Sequence, residues 1–280
     1  MKSVKIVTDS TVDLQQEELQ RFNITVVPLT IYIDEESYLD GVEISPSTFI
    51  EKMKQSKELP KSSQPSIGRF VEVYNELGKD GSDILSIHMT GGMSGTVQAA
   101  EAASKICDAN VTVVDSRYIS KALAFQVVEA ANMAAEGKQI NEIIAKLEEI
   151  RKQTKLYVVV DTLENLVKGG RIGKGKAFIG SLLNIKPIAN LDNGEYNPVT
   201  KARSHSQVVK FLSKKFVEDI KNKKIMSVGL VHAEGLELAR KLKEKIIELT
   251  GFDKIEIEET TPIISTHTGI GAIGFMYWLE

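Results

Sequence analysis

The sequence predicts an α/β protein made of two α/β domains, an N-terminal one on a parallel sheet and a C-terminal one of sheet and helices. Three observations carry this. Short apolar runs alternate with segments of helical period through the first half. Polar loops at residues 8–10, 88–95 and 115–117 lie just past those runs, where parallel sheets hold their ligands. The rhythm then changes near residue 153, which divides the chain into 1–153 and 154–280.

Residues 4–7 form a first strand, Thr8-Asp9-Ser10 its turn, and Asp13 an N-cap for a helix through Phe22. Residues 24–27 and 29–33 are extended. Ser45 caps a helix that Pro46 opens and that runs to about Gln55. Ile67, Phe70, Val71, Tyr74 and Leu77 recur at helical spacing. A strand at 84–87, a glycine-rich loop at 89–95 and a helix at 96–107 follow. Cys107 falls on the apolar face of that helix, as a small core residue rather than a nucleophile. Residues 111–114 read as a buried strand, and helices run over 120–135 and 140–152.

In the second half, a strand at 156–160 leads to a short helix at 163–168. Residues 168–176 (KGGRIGKGK) are the most glycine- and charge-rich stretch. Segments 185–191 and 196–203 pair through Asp192-Asn193-Gly194, a strong hairpin signal. A helix at 206–220, a strand at 225–231 and a helix at 236–249 follow. Residues 254–258 and 262–265 read as extended, and 266–274 as a final loop.

With 35 Lys and Arg against 38 Asp and Glu among 280 residues, the net charge of −3 is no footprint for nucleic acid. One cysteine excludes an internal disulfide and a multi-cysteine metal site. The start, MKSVKIVTDS, lacks a signal-peptide core, and no run approaches about 20 apolar residues. A cytoplasmic protein without a membrane span is expected.

Three motifs nearly match known chemistries. Gly170 to Lys176 has P-loop spacing, but Ala177 stands where a Mg²⁺-binding hydroxyl belongs, and a helix rather than a strand precedes it. Gly269-Ile270-Gly271-Ala272-Ile273-Gly274 spells the dinucleotide fingerprint, but too little chain follows for the rest of that unit. Gly92-Met93-Ser94-Gly95-Thr96 resembles a nucleophile elbow with Thr96 in place of its second glycine. A serine hydrolase using Ser94 with one of His88, His205, His232 or His267 is thus an alternative reading. Equally, Ser94 sits at the start of a helix, where orphan N–H groups and the helix dipole attract anions, or it merely caps that helix. Asp9 and Asp115, at strand ends, are loop or cap residues that could orient a site.

Five segments together resemble the DegV family. They are Thr8-Asp9-Ser10 with Asp13-Leu14, Lys61-Ser62-Ser63-Gln64-Pro65-Ser66, Met93-Ser94-Gly95-Thr96, Gly169-Gly170-Arg171-Ile172, and His267-Thr268-Gly269-Ile270-Gly271-Ala272. The resemblance implies two α/β domains with a ligand between them. That ligand is a long-chain fatty acid such as palmitate, and no further cofactor is implied. It also implies a non-enzymatic carrier that presents the acid to a separate fatty-acid kinase for acyl-phosphate formation, within phospholipid metabolism, with room for transient contact with a membrane surface. Position by position, Ser62, Ser94 and His267 would bind the carboxylate, while Arg171 and Arg203 would serve kinase engagement or phosphoryl transfer. Ser62 replaces the usual threonine but keeps the hydroxyl, Ile270 replaces a frequent proline, and Thr90-Gly91-Gly92 departs from a serine-rich run.

The chemistry agrees with that set. Burying a carboxylate costs several kcal/mol unless it is hydrogen-bonded, and two hydroxyls, a histidine and a helix terminus supply donors. A C16 tail offers roughly 10 kcal/mol at ~0.8 kcal/mol per methylene, before ordering costs. Tail burial therefore sets affinity and the polar cluster sets orientation. The apolar pattern does not separate tail-pocket lining from ordinary core.

Overall fold

The computed structural model describes residues 3–178 and 185–280. Its first half runs β1 (Val4–Asp9), α1 (Gln16–Arg21), β2 (Ile24–Val27), β3 (Thr30–Ile33), β4 (Glu36–Leu39), α2 (Pro46–Gln55), β5 (Lys61–Ser63) and α3 (Ile67–Gly78). It continues through β6 (Asp83–His88), α4 (Thr96–Ser104), β7 (Val111–Asp115), α5 (Ser120–Ala135) and α6 (Ile140–Gln153). Strands β2-β1-β6-β7 form an all-parallel sheet in that order. Successive side chains point to opposite faces, so Val7 and Ile84 pack with Phe70, Tyr74 and the alanines of α4, while Ile6 and Leu85 pack toward α5. Both faces are covered, which is why these strands read as continuous apolar runs.

The second half adds β8 (Thr154–Val159), α7 (Glu164–Lys168), β9 (Lys186–Asp192), β10 (Glu195–Ala202), α8 (His205–Asp219), β11 (Ile225–Ala233), α9 (Leu236–Thr250), β12 (Glu256–Glu259), α10 (Pro262–Thr268) and β13 (Ala272–Leu279). Its six-stranded sheet has the order β10-β9-β8-β13-β11-β12, and only the β11–β12 pair is parallel. Alternation again divides the strands. Tyr157, Leu230, Phe275 and Tyr277 pack under α8 and α9, whereas Leu156, Val158, Val231 and Met276 join the same core as Ile6 and Leu85. Helix α5 lies between the two sheets and is buried almost all round, from Ala122 through Val127 and again at Ala130 and Ala131. Its alanines let both sheets approach it.

Four expectations change. Asp13 does not cap α1, which begins at Gln16 under a capping box from Gln15; Asp13 is instead buried in the left-handed region at φ 45°. The helix expected over 96–107 stops at Ser104, leaving Cys107 half-buried in the following turn, where it still packs against the core of α3 and α4. Residues 262–265, expected to be extended from their β-branched run, begin helix α10, with Pro262 pre-set for its first turn. The final loop ends at Gly271, and residues 272–279 form the central strand β13, whose apolar sequence is that of a strand buried on both faces. A third, antiparallel sheet, β4-β3-β5, shows only its middle strand in the sequence pattern; it carries Ser62.

Candidate functional site

The loops past β1, β6 and β7 converge, and two carboxylates brace them. Asp9 Oδ1 accepts from the Thr11 N–H at 3.1 Å and the Thr11 hydroxyl at 2.7 Å, while Oδ2 accepts from the Met89 N–H at 2.8 Å. Burial pushes this carboxyl up, but the contacts of His88, Met89 and Thr11 outweigh it and hold it below its ordinary value. Asp115 accepts from the N–H groups of Gly91 at 3.2 Å and Arg117 at 2.7 Å. Both residues thus fix the loop that carries Ser94. Ser94 Oγ accepts from the Thr96 N–H at 3.3 Å and shares a 2.8 Å hydrogen bond with the Thr96 hydroxyl, while Gly95 takes the N-cap position itself. A Cβ on Gly95 would fall 1.9 Å from Gln64 Oε1, so the glycine of Ser94-Gly95-Thr96 makes room for Gln64.

His267, in the last turn of α10, meets Ser62 of β5 across the molecule, with Nε2 and Oγ 2.7 Å apart. Helix α10 is itself held by buried carboxylates. Asp13 accepts from the Thr260 hydroxyl and the Thr261 N–H, both at 2.8 Å, and Asp40 accepts from the Ile263 N–H at 3.2 Å. Gly169 lies so close that a Cβ there would stand 2.4 Å from His267 Nδ1, which explains the first glycine of Gly169-Gly170-Arg171-Ile172. Burial, with the nearby Arg171 charge, pushes the His267 imidazole down to about 4, so it is neutral at neutral pH. Its Nδ1 has no partner among the described residues. Arg171 is half-buried, donating from Nε to the Met93 carbonyl at 3.0 Å and from Nη1 to the Gly169 carbonyl at 2.5 Å. It is the cationic group among the residues that line the cavity.

These residues form the polar end of a cavity whose remaining wall is largely apolar. Ser62, Gln64, Ser94, Arg171 and His267 share it with Leu29, Met89, Met93, Ile119, Val158, Leu191 and Ile264. Ile119, Val158, Ile264 and Thr268 also line a second hollow, which continues over Leu156, Val231, Ala272, Gly274 and Met276. The two together run from the loop ends of the parallel sheet to the inner face of the six-stranded sheet, beside the start of α5. Four of the five residues expected at the site, Ser62, Ser94, His267 and Arg171, are thereby brought together. Arg203 is not: it is exposed after β10, and its backbone N–H donates to Gln207 Oε1 at 2.7 Å. Sequence reasoning assigns no role to Gln64, Tyr196, Asp13 or Asp40 at the site. For Gln64 the signal lies in Gly95; for the buried aspartates it is absent, because nothing local distinguishes them from capping residues.

Hydrolase chemistry finds no support in this arrangement. Ser94 bonds to Thr96 and His267 to Ser62, so the nucleophile and base of the alternative reading are not paired. A Ser–His–Asp sequence of contacts does exist, with Ser86 Oγ 2.7 Å from His88 Nε2 and His88 Nδ1 3.1 Å from Asp9. All three are fully buried, Ser86 is also bonded to the Tyr74 hydroxyl, and Phe70 packs edge-on against His88. A triad needs substrate access, and this one is sealed in the core as a brace for β1 and β6. Among the described residues no group of three or more His, Cys, Asp or Glu could hold a metal, and no helix is long and apolar enough to cross a membrane.

Comparison with known proteins agrees along the whole length. A DegV domain-containing protein of Listeria monocytogenes is 46% identical over 281 residues, covering 100% of both chains. One from Staphylococcus aureus is 45% identical over 271 residues, covering 97% of each. Among solved structures, a fatty-acid-binding DegV family protein from Thermus thermophilus superposes with a TM-score of 0.92 at 32% identity, covering 99% of this chain and 100% of that one. DegV of Bacillus subtilis, described as a fatty acid binding protein, gives 0.90 at 33% identity over 100% of both. The family model described as "Uncharacterised protein, DegV family" matches residues 3–280, and the chain belongs to the DegV family.

Proposed function

We propose that this protein binds a long-chain fatty acid, with the carboxylate at the Ser62–Ser94–His267 end and the acyl chain along the apolar hollow. The observation that carries the reading is the amphipathic cavity, polar at one end and apolar along the rest. Solved relatives described as fatty-acid-binding, among them those from Thermus thermophilus and Bacillus subtilis, support the ligand class. Since His267 is neutral, Arg171 supplies the charge that complements the carboxylate, and the hydroxyls fix its direction. Arg171 and the exposed Arg203 further serve engagement of a fatty-acid kinase, or phosphoryl transfer to the presented acid. The protein acts in the cytoplasm as a carrier rather than an enzyme, and residues 1–153 and 154–280 are its two structural halves.

The mass of what co-purifies tests this reading. Denaturing extraction of protein from a bacterial host should release a fatty acid in near-stoichiometric amount. Ser94→Ala should weaken its retention by about 1–3 kcal/mol, the cost of removing one donor from a buried carboxylate. Protein that emerges empty and also fails to bind added palmitate would sink the reading. Retention unchanged in Ser94→Ala would move the head group elsewhere.

A further inference from the structure

In the stretch at residues 168–176, Gly173 and Gly175 make close approaches that the head-group set leaves unexplained. A Cβ on Gly173 would stand 2.9 Å from the Tyr196 carbonyl oxygen, and one on Gly175 2.9 Å from the Tyr196 ring at Cε1. Gly173 also holds φ +51°, a backbone region that disfavours other residues. The glycines therefore form a seat for Tyr196. The same Gly175 position lies 3.0 Å from Ile172 Cδ1, which places the ring beside the residue that follows Arg171.

Tyr196 stands opposite Leu191 in the β9–β10 pair, and both line the cavity. The residue is 1% exposed, and its hydroxyl has no hydrogen-bond partner among the described residues. Burial pushes the phenol up, so it stays protonated and can only donate usefully to an acceptor that arrives. Buried hydroxyls are normally paired, and a phenylalanine would fill the same core volume without leaving an orphan donor. A core-packing role alone thus explains the ring but not the oxygen.

We propose that Tyr196 is a further ligand-binding residue, its hydroxyl donating a hydrogen bond to the carboxylate of the bound fatty acid from the Arg171 side. This rests on the fatty-acid reading above. The glycine-rich stretch then serves two side chains, since Gly169 admits the ring of His267 while Gly173 and Gly175 admit the ring of Tyr196.

The test compares wild type and Tyr196→Phe by displacement of a fluorescent polyene fatty acid with stearate and with 12-hydroxystearate. Both acids carry the carboxylate, so the variant should bind both about tenfold more weakly, the usual loss for one hydrogen bond to a charged acceptor. Equal affinity of variant and wild type for stearate would overturn the proposal, as would a loss confined to 12-hydroxystearate, which would put the acceptor on the chain. Wild type that binds neither acid would overturn the carrier reading and this proposal with it. A second measurement stands independently of the variant's folding. In wild-type protein labelled with ¹³C at tyrosine Cζ, loading with stearate should shift the Tyr196 resonance, and an unmoved resonance overturns the proposal.

Discussion

Asp40 is 1% exposed, and its Oδ2 has no hydrogen-bond partner among the described residues, while Oδ1 holds the N–H of Ile263 near the start of α10. Burial pushes its carboxyl up to about 7; contacts with Ser10 and Ile263 pull against this, and the charges of Asp13 and Asp9 add to it. A group whose folded value lies above its unfolded one stabilises the fold fully below the unfolded value, and that contribution is lost as pH rises through the folded one. Asp13, raised by burial to about 6, acts in the same direction, and Asp9, held low, acts in the opposite one. Between roughly pH 4 and pH 7, ionising Asp40 should cost on the order of 2–4 kcal/mol of stability. Asp40→Asn keeps an acceptor for Ile263 and removes the titration. Thermal denaturation across that window should therefore show a flatter profile for the variant, and superimposable profiles would refute the assignment. Because α10 carries His267, the same titration should speed release of fatty acid as pH rises.

At the level of elements, β13 decides how deep the cavity goes. Its inward positions are Ala272, Gly274 and Met276, and Gly274 pairs with Val231 of β11. A Cβ on Gly274 would sit 3.0 Å from both Met276 Cε and Val231 Cγ2, so a larger side chain must enter the hollow. Gly274→Val should exclude about two methylenes of the acyl chain, shifting the ratio of myristate to stearate binding toward myristate by roughly tenfold relative to wild type, at ~0.8 kcal/mol per methylene. Overpacking should also cost about 1–3 kcal/mol of stability. Competition between the two acids measures the preference, and an unchanged ratio would show that the tail does not reach β13. Sequence pattern misses this strand although every residue in it is apolar or glycine. The run lies behind two glycines at the chain end, and periodicity cannot tell a strand buried on both faces from a loop-adjacent apolar tail. Helix α10 escapes for a related reason. Ile263, Ile264 and Thr266 favour strands locally, and their burial under β3 and α7 overrides that preference.

For the molecule as a whole, α5 is the shared element. It packs against β1 and β6 on one side and β8, β11 and β13 on the other, and residues of both sheets belong to one core cluster. Contacts that hold α10 also cross between the halves, through Asp13 to Thr260 and Ser62 to His267. A fragment of residues 1–153 would expose the apolar face of α5 that meets the six-stranded sheet, and a small domain has only about 5–15 kcal/mol of net stability against such a loss. The fragment should aggregate or lack fixed tertiary structure by near-ultraviolet circular dichroism, while the full chain unfolds in one thermal transition. A cooperative transition from the isolated fragment would show that the halves are independent domains.

Local physics determined a large part of this protein in the sequence itself. Short apolar runs and helical spacing gave the alternating architecture, Ser45-Pro46 and Asn193-Gly194 gave a helix start and a hairpin, and the resemblance of five short segments to one family implied the residues of the polar end. Those features depend on neighbours a few residues apart. The tertiary structure decided the rest: that Ser62 and His267, 205 residues apart, touch; that Asp13 is a buried latch rather than a cap; that Arg171 faces the cavity and Arg203 does not. It also decided which apolar residues line a hollow and which fill the core. Hydrophobic burial is non-directional, so Val158 and Val159 carry the same sequence signal, and only the sheet face each one occupies separates a cavity wall from packing.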